Sequence, residues 1–230
     1  APSVSTGVAA SGYRVFDVSS DGDSGVLVYD GAGSVELETT LSGLESGRLY
    51  SYVVSALSDA GEGDVSGSVS VSTAPGVVTD VASTHQTSSS IELEWVAPEV
   101  TTGSAVSGYK VYTREGHELS AVSEMFESGG VSEEVLEHFL APEDSDMVVD
   151  TLVYDGRGST DASTELTGLS GGVEYTYVVG AVSAAGEGER SVPVAVSTSP
   201  AAPSGLASTG SQTGGIDLVW SAPAVSTGAA

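Results

Sequence analysis

Apolar and acidic side chains alternate along Ile91-Glu92-Leu93-Glu94-Trp95, and a close copy, Ile216-Asp217-Leu218-Val219-Trp220, follows later in the chain. Successive side chains of a strand point to opposite faces, so each stretch predicts a half-buried strand with isoleucine, leucine and tryptophan on its inner face. Before Pro75 the pattern predicts strands around Tyr13–Val18, Val26–Tyr29, Ser34–Leu41, Leu49–Ser58 and Ser66–Thr73. Turns are expected at Asp21-Gly22-Asp23, Glu45-Ser46-Gly47 and Gly61-Glu62-Gly63. Short strands punctuated by glycine at this spacing indicate an antiparallel sandwich. Pro193 falls within the last strand of the second set, which marks an edge position because proline donates nothing to a ladder.

The same elements recur. Gly12-Tyr13 returns as Gly108-Tyr109, and Tyr29-Asp30-Gly31 returns, at a longer spacing, as Tyr154-Asp155-Gly156. The longer spacing then holds for Leu41 with Leu166, Leu44 with Leu169, Tyr50 with Tyr175, Gly61 with Gly186, Pro75 with Pro200 and Trp95 with Trp220. Repetition at about the length of a small domain implies tandem units, and the change of spacing places an insertion between Tyr109 and Leu152. The organisation expected is a unit over 1–75 without its first two strands, a complete unit over 76–199, and the first two strands of a further unit over 200–230. Within the insertion, near 116–147, Leu119, Val122, Met125 and Phe126 recur at helical spacing, and Gly129-Gly130 interrupts them. Ser132 is a good N-cap with Glu133 and Glu134 in the first turn; Val135, Leu136, Phe139 and Leu140 form an apolar face, and Pro142 stops it. A short helical hairpin is expected there.

In order and spacing, these motifs resemble tandem fibronectin type III domains: Ile-x-Leu-x-Trp-x-x-Pro, Gly-Tyr-x-Val-Tyr, Leu-Thr-Gly-Leu-x-x-Gly-x-x-Tyr-x-Tyr-x-Val, and Ala-Gly-Glu-Gly before a closing Val-Ser-Thr. The resemblance covers nearly the whole chain outside 116–147. It implies an all-β fold of seven-stranded, two-sheet immunoglobulin-like sandwiches. Trp95 then resembles the core tryptophan of the second strand, and Tyr50 and Tyr175 resemble the corner tyrosine that precedes the long sixth strand. The acidity, the single lysine (Lys110) and the helical insertion depart from the family pattern, and Arg157-Gly158-Ser159 is not the integrin-binding Arg-Gly-Asp. A sandwich without its tryptophan strand exposes core and open edges. Either the sequence is a window from a longer array, or the tail of one chain completes the head of the next through Ile216, Leu218 and Trp220. The second arrangement is a heterologous contact that builds an open filament.

Charge narrows the partners. Acidic residues number 32 against 6 basic ones, a formal net charge of −26, which repels nucleic acid and anionic lipid. Such a surface suits salty surroundings or loose binding of divalent ions, and equally serves simple solubility. No run of about 18 apolar residues is present to span a membrane. The chain has no cysteine, so disulfides and thiolate metal sites are excluded. His85, His117 and His138 are far apart and make no zinc motif. No catalytic constellation stands out, no enzymatic activity is expected, and no cofactor is implied except calcium. The weak calcium candidates are Asp21 and Asp23, and Glu143, Asp144 and Asp146, whose carboxylates crowd together without matching a twelve-residue calcium loop. Aspartates that hydrogen-bond their own turns explain them as well.

The function expected is that of a structural repeat in an extracellular filament, fibre or surface appendage. The partners expected are copies of itself or adjacent repeats, and serine- and threonine-rich faces could carry O-linked glycans. The insertion either packs on its own sandwich or makes a lateral contact through Met125, Phe126, Phe139 and Leu140. Two alternatives stay open: an adhesion or ligand-binding module, and an accessory module of a larger secreted enzyme. Fold resemblance alone does not choose among them.

Overall fold

The computed structural model describes residues 8–19, 25–116 and 148–223. Every regular element among them is a strand, and no helix occurs. The chain divides into two compact units. Unit 1 gathers Ala1–Val77, Pro98–Gly108 and Ala181–Glu189; unit 2 gathers Val78–Ala97, Tyr109–Gly180 and Arg190–Ala230.

Unit 1 begins with β1 (Gly12–Asp17), β2 (Val26–Ala32), β3 (Leu49–Ser58), β4 (Gly61–Glu62) and β5 (Val69–Ser72). They form one sheet in the order β2-β1-β3-β4, with β5 also paired to β3. Gly61-Glu62 pairs with Leu57 and Ser58, so the reversal lies at Asp59-Ala60, just before the expected turn. Alternation along β3 turns Tyr50 and Tyr52 inward, and these two rings stack with centroids 6.1 Å apart. With Val15 they form a small core against which Tyr29 and Leu41 pack. Gly31 has no side chain because the Tyr29 ring folds over it: a Cβ there would lie 2.6 Å from that ring. The same constraint explains Gly156 beneath Tyr154 in the second repeat.

The strand expected over Ser34–Leu41 is not formed. An isolated strand leaves its backbone donors and acceptors unpaired, and no described neighbour of these residues offers a ladder. The corresponding residues of the second repeat show what is missing, because they become a strand only alongside a partner.

The second set of strands comprises β6 (Thr79–Gln86), β7 (Ser90–Val96), β8 (Val106–Gly116), β9 (Val148–Asp155), β10 (Ser163–Thr167), β11 (Glu174–Ser183), β12 (Gly186–Glu187) and β13 (Val194–Ser197). One sheet runs β10-β7-β6 and the other β12-β11-β8-β9, with β13 paired to β11. Pro193 immediately precedes β13, and β11 is the only strand with which β13 pairs among the described residues. The alternation in β7 works as its sequence demands: Ile91, Leu93 and Trp95 are buried, while Glu94 is exposed. Trp95 packs edge-on against Tyr109 at 5.2 Å between ring centroids. Val111, Leu166, Tyr177, Val178 and Val179 are among the other buried residues.

A last hairpin, β14 (Ser204–Gln212) and β15 (Gly215–Ser221), forms a two-stranded sheet by itself. Its register breaks between Ser204 and Ala207 and between Ser208 and Gly210, the positions that correspond to the breaks in β6 at Thr79–Ala82 and Ser83–His85. The helical hairpin expected near 116–147 lies outside the described residues, apart from Gly116, which ends β8.

Candidate assembly surfaces and ion clusters

Corner tyrosines lock each repeat. Glu45 N donates to Tyr50 Oη at 2.9 Å, and Ser170 N donates to Tyr175 Oη at 2.9 Å. Each bond ties the loop before a long strand to that strand's first inward ring, which fixes the corner of the sandwich.

The apolar residues predicted for assembly fall on a surface. Ile216 is 69% exposed, Leu218 54% and Trp220 59%. The equivalent residues of β7 are buried, so an unpartnered hairpin shows its apolar side chains where its counterpart hides them. A second open surface lies on unit 1. Val54 occupies the place of Val179, which is fully buried, yet Val54 is 38% exposed. Beside it opens a cavity of 240 Å³ lined by Tyr13, Val15, Tyr29, Leu37, Thr39 and Val54, among others. Met125, Phe126, Phe139 and Leu140 lie outside the described residues, as do Asp21, Asp23, Glu143, Asp144 and Asp146. Among the described residues no three histidine or carboxylate side chains come together in a metal-binding group, and no helix is long and apolar enough to cross a membrane.

The few basic residues are spent on ion clusters that the sequence pattern did not single out. In unit 1, Arg14 on β1 donates to Asp30 at 3.2 Å and to Glu62 at 2.8 Å. These hydrogen bonds hold the Asp30 carboxyl below its usual range, and for Glu62 the bond from Ser55 Oγ does so first, with Arg14 second. The repeat keeps the arrangement: Lys110 stands opposite Asp155 in the β8–β9 register, as Arg14 stands opposite Asp30 in β1–β2. In unit 2, Asp150 on β9 accepts from Arg114 Nε at 2.8 Å, Arg114 Nη2 at 2.9 Å and Arg190 Nη1 at 2.7 Å. The fork of bonds from Arg114, joined by Arg190, lowers the Asp150 pKa from 3.8 to about 2 against the burial that raises it. Arg190 also lies over the Tyr112 ring, 3.6 Å from its centroid, a cation–π contact. This cluster sits on the last turns of the ladder before residues 117–147. No sequence motif pointed to it, because Arg114, Asp150 and Arg190 are far apart along the chain.

Comparison with known proteins places these features. The family model of the fibronectin type III domain matches residues 74–197, more than half of the chain. Chitinase A1 of Niallia circulans is 39% identical over 134 residues, which is 49% of this chain and 19% of the length of that enzyme. A two-domain fibronectin type III segment from chicken tenascin is 19% identical and covers 85% of this chain and 87% of its own, with a TM-score of 0.38. The FN1–FN3 domains of chicken CNTN1 are 19% identical and cover 82% of this chain and 56% of their own, with a TM-score of 0.36.

Proposed function

Because this chain belongs to the fibronectin type III family, we propose that it is a non-catalytic spacer module of a larger extracellular protein, and that this protein is an enzyme acting on chitin or a related polysaccharide. The observation that carries this reading is the relationship to a chitinase of which the matched segment forms only 19%. A spacer needs rigidity rather than reactive groups, and the described residues suit that work. Buried Trp95, Tyr109 and Tyr177 fill a sandwich core, and the corner bonds at Tyr50 and Tyr175 resist shear of the long strands. The acidic surface keeps such a segment from sticking to neighbours of like charge.

A second reading, a structural repeat of a filament or surface appendage, draws on the apolar face of β14–β15. One experiment separates the two. Antibody raised against residues 76–199 is used on native secreted protein run in a chitin-containing gel. The enzyme reading expects the antibody to mark a band larger than this 230-residue chain, with chitin cleared at the same position. A marked band that never coincides with clearing on chitin or related polymers removes the enzyme and leaves the structural array.

A further inference from the structure

Unit 1 takes in two segments from the second set of strands, Pro98–Gly108 and Ala181–Glu189. Both close on the link at Pro75-Gly76, between β5 and β6. The turn before β3 is tied to that link first. Gly47 N donates to Ala74 O at 2.7 Å, Thr73 N to Arg48 O at 2.9 Å, and Thr73 Oγ1 to Glu45 O at 2.7 Å. The loop after β7 then grips the same turn. Gly103 N donates to Gly47 O at 3.0 Å, and Leu49 N donates to Thr102 Oγ1 at 3.1 Å. Two backbones approach this closely because both residues are glycine. A Cβ on Gly103 would lie 2.6 Å from the Gly47 carbonyl, and one on Gly47, itself at φ 63°, would lie 3.2 Å from Glu99 O. Gly188, just after β12, presses on the link itself: a Cβ there would lie 2.2 Å from Pro75 O. Pro75 is fully buried.

We propose that residues 99–103 and Gly188 act as one latch that holds the link at Pro75-Gly76 in a single conformation. Proline fixes its own φ, but the glycine that follows restores the freedom that Pro75 removes. The link's own sequence therefore leaves it a swivel, and the latch makes it a stay. The contacts are coupled because all bear on one short stretch. Thr102 and Gly103 hold the turn at 47–49, that turn holds Thr73 and Ala74, and Gly188 bears on Pro75. Contacts that share a segment open together as a local cooperative unit. For a spacer, stiffness then lies in the joint as well as in the sheets. That consequence rests on the spacer reading, whereas the latch itself concerns only contacts within unit 1.

Amide hydrogen exchange on the full chain tests the latch. In the parent, the N–H groups of Gly47, Leu49 and Gly103 are expected to be protected together, well beyond exposed Gly67. Thr102→Val keeps the shape of the side chain and removes the acceptor of Leu49 N. It is expected to speed exchange at all three amides by roughly tenfold. Gly188→Ala, whose added methyl meets Pro75 and Gly76, is expected to speed the same three, although none of them donates to residue 188. Trypsin is expected to cut after Arg48, inside the latched turn, faster in both variants. Gly67→Ala, where a Cβ meets nothing within 4 Å, is expected to change none of this. Exchange along β7 and β11 reports that each variant is folded; should Gly188→Ala loosen those strands as well, Thr102→Val decides alone. Three outcomes overturn the proposal. One is a parent in which Leu49 and Gly103 exchange as fast as Gly67. Another is a Thr102→Val chain in which Leu49 alone speeds up, with Gly47, Gly103 and the cut at Arg48 unchanged. The third is a folded Gly188→Ala chain in which the three amides do not move.

Discussion

Two tyrosine pairs, equivalent across the repeats, put the same chemical group to opposite uses. Tyr50 and Tyr175 accept a backbone hydrogen bond at the corner, whereas Tyr52 and Tyr177 carry buried hydroxyls with no partner among the described residues. Burial pushes the Tyr177 pKa up, so this ring stays neutral throughout the ordinary pH range. A buried hydroxyl without a partner costs its desolvation and returns nothing. Tyr177→Phe is therefore expected to leave stability unchanged or raise it by up to about 1–2 kcal/mol, while Tyr175→Phe loses about 1 kcal/mol with its corner bond. Urea unfolding of the two variants checks both signs. Asp80 is a further residue whose meaning comes from its twin. A non-glycine residue in the left-handed region costs about 1–2 kcal/mol, and the equivalent position holds Gly205.

At the scale of elements, the β8–β9 ladder ends in a cluster that acid should undo. Asp150 has a folded pKa of about 2 against an ordinary value of 3.8, so its contribution to stability is fully present above about pH 4. The contribution is lost as pH falls through 2, because the proton that binds Asp150 removes the negative charge with which both arginines pair. Asp150→Asn is expected to unfold earlier than the parent at pH 6, with the gap between them shrinking as pH falls from 4 to 2. Thermal unfolding across that range measures it. Most strands were legible in the sequence because their faces alternate cleanly, with Ile91, Leu93 and Trp95 against Glu92 and Glu94 the plainest case. The failure at Ser34–Leu41 has a physical reason: that pattern records a strand's faces and is silent on whether a partner is present to complete its ladder. Asp150 was illegible for a related reason, since Arg114 meets it only through the pairing of β8 with β9, and Arg190 reaches it from the segment between β12 and β13.

For the whole molecule, the net charge of −26 sets the conditions in which the sandwiches are most stable. Like charges crowded on a compact surface repel one another, and the unfolded chain relieves that strain. Raising sodium chloride from about 0.1 M to about 1 M shortens the screening distance from roughly 10 Å to roughly 3 Å. The melting temperature is expected to rise over that interval, and a chain held together chiefly by its ion pairs would instead show a fall. The tandem organisation was visible in the spacing of Tyr29 with Tyr154 and of Trp95 with Trp220, and the fibronectin type III model matches residues 74–197. The exposure of Val54 shows only in the structure, where its counterpart Val179 is buried. The ladder below residues 117–147 has one more implication. Gly116 pairs with Val148 and Glu115 with Val149, and Asp150 clamps Arg114 just below. The two ends of the excursion are thus held together by the sheet, and doubling the length of chain between them adds only about 0.6 kcal/mol of closure cost. A foreign peptide grafted between Gly116 and Val148 is therefore expected to leave the sandwich folded, and thermal unfolding of the grafted chain measures it.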